Sequence, residues 1–283
     1  MKFASFIVQG RTTYGVVEGT QVIDLESVKA TFGTDLKQAI AINRLGELTP
    51  AVLAPLPRVA LADVTFLPVI ENPGKVLCIG INYATHVRET GREMPTYPMI
   101  FTRFADSQVA HLQPIIRPKA SHKLDFEGEL AVVIGKTARH VKAADALEYV
   151  AGYACYNDGS VRDWQKHTIQ FVPGKNFPCT GGFGPWLVTC DEIGDPQDLE
   201  LTTRLNGQVM QHTRTSDMIF DVRHLIEYCS TFTELAPGDV IVSGTTGGVG
   251  AFREPPVWMK PGDTVEVEIS GIGILRNSIA DEQ

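Results

Sequence analysis

An acid-rich segment that runs directly into an apolar one constrains the fold more than any other part of the chain. Residues 124–135 read LDFEGELAVVIG, and Asp125, Glu127 and Glu129 alternate with uncharged residues. A strand with a period of two therefore places all three acids on one face. Glu127 and Glu129 would lie roughly 7 Å apart, close enough to reach one cation but costly to hold together without it. The apolar residues 131–134 indicate that the strand then enters the core.

The alternating acids have two interpretations. They are common on the solvent face of a half-buried antiparallel strand. They also suit a hard divalent cation with oxygen ligands. Asp158 ends a second apolar stretch, residues 151–157, and is either the cap of a following helix or a third carboxylate. Three carboxylates form a ligand set for Mg²⁺ or Mn²⁺ that leaves positions for water and substrate.

Composition and charge exclude several classes of protein. With 283 residues, 43% of them hydrophobic, the chain can bury one large core with a smaller one beside it. The net charge is −8 and no dense Lys/Arg cluster occurs, so we expect no nucleic acid partner. No apolar run approaches a membrane span and no signal-peptide pattern opens the chain, so we expect no membrane partner and a cytoplasmic location. The five cysteines lack a CxxC pair and are predicted to be buried thiols.

The first third of the chain predicts a small β-rich domain. Residues 1–25 alternate as three short antiparallel strands, and residues 35–43 predict a helix. The proline-rich residues 53–75 then suit a linker. We therefore expect a boundary near Pro73, with domains at residues 1–72 and 73–283.

The remainder predicts more strands than helices. Strands are expected at residues 75–80, 99–104, 124–135, 152–158, 239–244, 264–269 and 273–278. Helices are expected from Asn82 to Gly91, over residues 143–150, and from a cap at Ser216 to Phe232. Asn206 and Gly207 form the strongest hairpin signal. Without a regular βαβ repeat, the fold class is α+β and mostly β.

Further polar residues could carry chemistry. His86 and Glu89 are spaced i, i+3 on the predicted helix, where a carboxylate could orient a general base, although a surface His/Glu pair has the same spacing. Arg162 and Gln165 share that spacing after Asp158. Lys175 lies in the irregular segment VPGKNFP, where lysines are usually solvated.

The segment SGTTGGVG, residues 243–250, offers backbone N–H groups that could bind a carboxylate. Its glycines lack the spacing of nucleotide-binding loops. GxSxG and HExxH motifs are also absent, which disfavours serine hydrolases and zinc proteases.

From about residue 75 to residue 279 the chain resembles the fumarylacetoacetate hydrolase superfamily. The matching motifs follow in family order: GxNYxxH at residues 80–86, DxExEL at 125–130, RDWQ at 162–165, GKNF at 174–177, GPW at 184–186, LNG at 205–207, GTTGGVG at 244–250, PPVWMKPGD at 255–263 and GIGxLRN at 271–277. The resemblance implies a mixed β-sandwich roll with a small N-terminal domain, commonly a homodimer, acting on a small 2-oxo acid.

The resemblance also implies roles for single residues. It implies that a magnesium or manganese ion is bound by Glu127, Glu129 and Asp158. It implies catalytic roles for His86, Glu89 and Lys175, and substrate-binding roles for Arg162, Gln165 and Thr245.

One departure from the family pattern bears on the substrate. The animal fumarylacetoacetate enzymes read GTxSGPE where this chain reads GTTGGVG, so the acylpyruvate branch fits better. We expect metal-dependent hydrolysis of a C–C bond in an acylpyruvate, such as fumarylpyruvate or maleylpyruvate from aromatic catabolism, with release of pyruvate.

Several alternatives stay open. They are decarboxylation of oxaloacetate-like acids, isomerisation of 2-hydroxymuconate-like acids, and binding of an oxo acid without catalysis. Arg88, Arg92 and Arg103 are candidates to bind a second carboxylate of the substrate, although arginines on surface loops are commonplace.

Overall fold

Strands supply most of the regular structure in the computed structural model, which describes residues 1–283. The strands are β1 (Lys2–Val8), β2 (Arg11–Glu18), β3 (Gln21–Asp24), β4 (Arg58–Ala60), β5 (Thr65–Phe66), β6 (Val76–Gly80), β7 (Met99–Arg103), β8 (Gln108–Val109), β9 (Ile115–Arg117), β10 (Leu124–Asp125), β11 (Gly128–Ile134), β12 (Val150–Asp158), β13 (Ser160–Val161), β14 (Gly181–Thr189), β15 (Glu200–Leu205), β16 (Gln208–Arg214), β17 (Val240–Val242), β18 (Thr264–Ile269) and β19 (Gly273–Asp281). The helices are α1 (Lys29–Phe32), α2 (Leu36–Ala41), α3 (Pro50–Leu53), α4 (Ala84–Thr90), α5 (Arg162–Gln165), α6 (Val172–Lys175), α7 (Cys190–Ile193) and α8 (Val222–Phe232). None of them has both the length and the apolar character of a membrane-crossing helix.

Two sheets face each other across the main core. The larger sheet has the order β4-β3-β2-β1-β14-β12-β11-β17-β6-β7, with β5 on β1 and β8 on β14. The smaller has the order β16-β15-β18-β19-β9, and β10 pairs with β13. Strands β11, β12 and β14 of the larger sheet contact β15, β18 and β19 of the smaller. The predicted α+β, mostly β sandwich is therefore confirmed.

The apolar run of β11 is explained by burial on both faces. Leu130, Val132 and Ile134 point into a core shared with the smaller sheet and α8. Ala131 and Val133 point into a second core that holds the N-terminal strands. A strand covered on both sides carries an unbroken apolar sequence, which is why the pattern predicted entry into the core here.

The predicted N-terminal strands and helix form, but the predicted linker over residues 53–75 is wrong, because β4 and β5 of the large sheet lie within it. Strands β1, β2 and β3 pair as an antiparallel meander. Helix α2 begins after Asp35, whose carboxylate accepts the Gln38 N–H. Strand β1 also pairs with β14, so the meander continues the large sheet. The division into residues 1–72 and 73–283 stays a prediction.

The predicted strand over residues 124–135 is wrong in one respect, because it is split into β10 and β11. Between them the Glu127 N–H donates to the Asn157 side chain at 2.9 Å. The Asp125 carboxylate accepts the N–H groups of Gly250 and Ala251 at 2.8 and 2.9 Å. The Asn157 side chain thus binds a backbone N–H group that a continuous strand would pair with its neighbour. Asp125 faces the loop at residues 250–251 and not the site of the two glutamates.

Two predicted helix starts are wrong. Asn82 does not cap α4, because its amide donates to the carbonyl oxygens of Phe220 and Ser243. Helix α8 begins at Val222 with Asp221 as its cap, whereas Ser216 lies in a 3₁₀ turn. The predicted helix at residues 143–150 is a 3₁₀ helix, Ala143–Tyr149.

Two predictions about turns are confirmed, and the one about the cysteines is confirmed in part. Helix α4 ends at Gly91 in the left-handed conformation. Asn206 and Gly207 have φ values of 52° and 80°, as a tight hairpin turn requires. All five cysteines are free, as predicted, but the prediction that all of them are buried is wrong for Cys179 and Cys190, which are only partly buried.

Candidate active site

Four strand ends meet at one edge of the large sheet. Strand β11 begins there after Glu127, and its antiparallel neighbour β12 ends there at Asp158. Strands β6 and β17 are parallel and both end at this edge. They lead into α4 and into residues 243–250 respectively. Segments far apart in sequence therefore bring their polar side chains to one place.

The three predicted metal ligands lie together. Glu127, Glu129 and Asp158 each place a carboxylate oxygen within 4.8 Å of the others, and all three are buried. Asp158 does not cap α5, whose N-cap is Val161. The capping alternative for Asp158 is therefore wrong, and so is the solvent-face alternative for the two glutamates.

Two of these carboxylates are neutralised by a run of alternating charges, here called the buried ion chain. Lys175 Nζ lies 2.6 Å from Glu127 Oε2 and 2.6 Å from Asp158 Oδ2. Arg162 contacts Asp125 and Glu127, while Arg103 contacts Asp158. The buried ion chain comprises Arg103, Asp158, Lys175, Glu127, Arg162 and Asp125. Burial would raise the pKa of Glu127, but Arg162 and Lys175 hold that pKa well below its usual range.

Glu129 stands outside this chain. Its carboxylate accepts one hydrogen bond, from the Gly244 N–H, and has no cationic side chain as a partner. Burial raises the pKa of Glu129 well above its usual range, and the charges of Asp158 and Glu127 raise it further. Burying an anion without a counter-charge costs free energy, so a cation bound next to Glu129 would stabilise its charged form.

The donor set fits a hard divalent ion. Three buried carboxylates offer the oxygen ligands that Mg²⁺ and Mn²⁺ prefer. The assignment of Glu127, Glu129 and Asp158 as the ligands stays a prediction.

His86 and Glu89 meet as their spacing predicts. His86 Nδ1 lies 2.9 Å from Glu89 Oε2. The other Glu89 oxygen accepts the Gly248 N–H at 2.9 Å, which ties α4 to the glycine-rich loop. Because a carboxylate only accepts hydrogen bonds, Nδ1 carries a proton, and in the neutral imidazole Nε2 then presents a lone pair. The His86 ring is 6% exposed and packs edge-on against Phe252.

Arg162 and Gln165 also meet, on the short helix α5. Arg162 Nη1 donates to Gln165 Oε1 at 3.0 Å. Arg162 Nη2 is buried and has no hydrogen-bond partner. An unsatisfied buried donor is unusual. Arg162 also lines the cavity of this site, so this N–H group is available to an acceptor there.

Thr245 is held in place by Gln211, a residue that sequence reasoning missed. Thr245 Oγ1 donates to the Gly128 carbonyl at 3.0 Å and accepts from Gln211 Nε2 at 2.8 Å. Gln211 Oε1 also accepts the Gly128 N–H. The Thr245 hydroxyl therefore has no proton left for a substrate, whereas its backbone N–H donates no hydrogen bond within the chain.

A cavity of about 220 Å³ joins these groups, which is smaller than the roughly 300–1,000 Å³ of sites for drug-sized ligands. All the predicted site residues line it except Glu89 and Asp158, which lie behind His86 and Lys175. The lining is Ile79, Gly80, Ile81, His86, Thr90, Arg92, Phe101, Glu127, Glu129, Arg162, Gln165, Lys166, Phe171, Lys175, Thr245 and Phe252. Phe252 and Lys166 were missed because no local pattern distinguishes them from surface residues.

Two of the three arginines considered for a second carboxylate do not reach the cavity. The Arg103 side chain is fully buried and binds Asp158, so its predicted contact with substrate is wrong. Arg88 is exposed on α4 and does not line the cavity. Only Arg92 lies at its wall.

Comparison with known proteins defines the class. Residues 75–280 match the family model described as fumarylacetoacetate (FAA) hydrolase C-terminal. This match covers more than half of the chain, so the protein belongs to that family and the resemblance is confirmed.

Particular relatives carry different activities in their names. The chain is 41% identical over 268 residues to the oxaloacetate tautomerase FAHD2A, mitochondrial, of Bos taurus, covering 92% of this chain and 84% of that protein. The structure of a fumarylacetoacetate hydrolase from Exiguobacterium antarcticum matches with a TM-score of 0.89 and 36% identity over the whole of both chains. A maleylpyruvate hydrolase from Sphingobium sp. SYK-6, in complex with manganese(II) and pyruvate, matches both whole chains with a TM-score of 0.84 and 27% identity. Family and fold are therefore established, whereas the individual reaction is not.

Proposed function

We propose that the protein is a divalent-metal-dependent tautomerase that interconverts the enol and keto forms of a 2-oxo acid of the oxaloacetate type. The observation that carries this proposal is the placement of His86, with a free Nε2, on the wall of the cavity that Glu127 and Glu129 also line. One proton carrier beside a polarised 2-oxo group is sufficient for tautomerisation. The 41% identity to an oxaloacetate tautomerase supports the same assignment.

The reaction moves one proton and consumes no water. From the keto form, His86 Nε2 accepts the proton from the carbon next to the 2-oxo group. The protonated His86 then gives this proton to the 2-oxo oxygen, which forms the enol and regenerates the neutral imidazole. A divalent ion held by Glu127, Glu129 and Asp158 supplies Lewis-acid polarisation of the 2-oxo group when bound. Glu89 holds the imidazole and stabilises its charged form, while the Lys175 ammonium lies beside the ligands to balance the developing negative charge.

The test follows the ultraviolet absorbance of enol-oxaloacetate after mixing with the protein and Mg²⁺, Mn²⁺ or a chelator. We expect metal-dependent acceleration, and a loss of about 10²–10⁴-fold in H86Q because the proton carrier is gone. His224→Gln is the matched control, since His224 also pairs with an acid three residues away but is 63% exposed. If the metal-loaded protein does not change the rate at which the enol absorbance decays, the proposal is refuted.

Hydrolysis of an acylpyruvate is the second candidate. The His86–Glu89 pair could equally deprotonate a water that attacks the distal carbonyl, with release of pyruvate. The structural match to a maleylpyruvate hydrolase favours this possibility. Measuring pyruvate with a coupled lactate dehydrogenase separates the two, because tautomerisation releases none. Pyruvate from oxaloacetate itself would instead indicate decarboxylation.

Other predictions accompany this proposal. The homodimer and the cytoplasmic location are inferred from the family and the sequence, and gel filtration and fractionation of cells test them. A role in aromatic catabolism is predicted only if the protein is an acylpyruvate hydrolase.

A further inference from the structure

The charge of the cavity differs in sign from that of the chain. The protein carries a net charge of −8, yet four basic and two acidic side chains line the cavity. Two of the four bases, Arg162 and Lys175, form ion pairs within the buried ion chain. The other two, Arg92 and Lys166, have no acidic partner. They outweigh the one unpaired acid, Glu129, so the cavity has a net positive charge that attracts anions.

Arg92 and Lys166 are both unpaired but held in position. Neither side chain forms a salt bridge or a hydrogen bond within the chain. The Arg92 guanidinium lies 5.8 Å from the ring centre of Phe171, and Lys166 Nζ lies 5.8 Å from the ring centre of Phe252. Both rings also line the cavity. Such contacts orient a cation and leave its N–H donors free, which a solvated surface base does not require.

The two cations are suited to a group away from the acid cluster. The three carboxylates and Lys175 are buried, whereas Arg92 and Lys166 are exposed at the cavity's outer wall. An anion bound there would lie on the solvent side of the buried glutamates. A 2-oxo acid with its reacting end at the acid cluster would direct its other end toward this wall.

We propose that Arg92 and Lys166 form a subsite for the distal carboxylate, so that the protein selects 2-oxo dicarboxylates over monocarboxylates. This inference rests on the proposed function only in placing the 2-oxo end of the ligand at the metal ligands. It assigns the preference for dicarboxylates to two side chains that take no part in the proton transfer. Arg162 contributes to the inner end, because its remaining donor is buried.

Binding of two stable ligands tests the subsite independently of catalysis. Malate is lactate with an added carboxylate, and neither compound can form an enol. Calorimetric titration of the Mg²⁺-loaded protein should give an affinity for malate about tenfold or more above that for lactate. In R92Q/K166Q the ratio should fall close to one while lactate binding is unchanged.

The controls separate this subsite from general electrostatics. Arg88→Gln removes an exposed arginine from the neighbouring helix outside the cavity, and it should leave the ratio unchanged. Higher salt should reduce the ratio in the parent protein but not in the double variant, since exposed charges are screened. If R92Q/K166Q keeps the parent's ratio of malate affinity to lactate affinity, the proposed subsite is refuted. If R92Q/K166Q loses the preference for malate but the parent protein shows no tautomerase activity, the subsite is supported and only the proposed reaction is refuted.

Discussion

Substitution of Arg103 by methionine tests whether the buried ion chain supports the acid cluster. The Arg103 side chain has no exposed surface, and its Nη1 donates to Asp158 Oδ1 at 2.6 Å and to the Gly159 carbonyl at 3.0 Å. Its Nη2 donates to Thr180 Oγ1 at 2.7 Å. Methionine has a similar length but no charge and no donor, so Asp158 loses its partner on the side away from Lys175.

The expected cost follows from burial. Removing one partner of a buried ion pair costs about 3–5 kcal/mol in the free energy of unfolding, because the remaining charge stays in a medium of low polarity. At roughly 2 °C or more per kcal/mol, the melting temperature should fall by about 6 °C or more. Asp158 would also lose its fixed orientation, and loss of such a supporting contact typically weakens metal binding by about 10–100-fold.

Urea unfolding and Mn²⁺ titration measure the two effects separately. Arg204→Met is the matched control, because Arg204 pairs with Glu268 at 2.6 Å but both side chains are partly exposed, at 28% and 41%. Such a pair contributes about 0–1 kcal/mol. If R103M unfolded like R204M and bound Mn²⁺ like the parent protein, the buried ion chain would have no role in holding Asp158.

Three further substitutions have distinct expected results. E129Q should stabilise the metal-free protein, because burial and neighbouring acids raise the pKa of Glu129 and disfavour its charge. It should also reduce the stabilisation by Mn²⁺ in thermal melts, because the ion loses a charged ligand. Gly128→Ala should cost about 1–3 kcal/mol in urea unfolding, since its Cβ would lie 2.0 Å from Thr203 Oγ1, whereas Gly46→Ala meets nothing within 4 Å. Burial lowers the pKa of His111 from 6.5 to about 4, so the unfolded chain binds the proton first and stability should fall as pH drops between these values. H111Q should flatten that part of the pH profile.

The sequence predicted those features that depend on neighbouring residues. The hairpin at Asn206 and Gly207 formed because both positions require a positive φ that these residues tolerate. The contact between His86 and Glu89 formed because three residues make nearly one helical turn. Family motifs added the grouping of the acids, which local patterns alone left open.

Features that depend on distant residues were not predictable. Asn82 looked like a helix cap, but its side chain binds Phe220 and Ser243, residues more than 130 positions away. Arg103 looked like a surface arginine, but it packs against Asp158, 55 positions away. A polar residue's partner is decided by the sheet topology, which no pattern within a window of ten residues contains.

The charges of the site also support the proposal that it binds a metal and an acid together. The buried ion chain alternates three cations with three anions and is neutral by itself. When it is ionised, Glu129 adds a single buried negative charge that no cationic side chain balances. A divalent cation at Glu129 leaves one positive charge in excess, and the carboxylate of a 2-oxo acid neutralises it. Because buried net charge is costly, each of the two ligands lowers the cost of binding the other. Without Glu129 that balance is lost, so E129Q should weaken both Mn²⁺ binding and the metal-dependent binding of lactate.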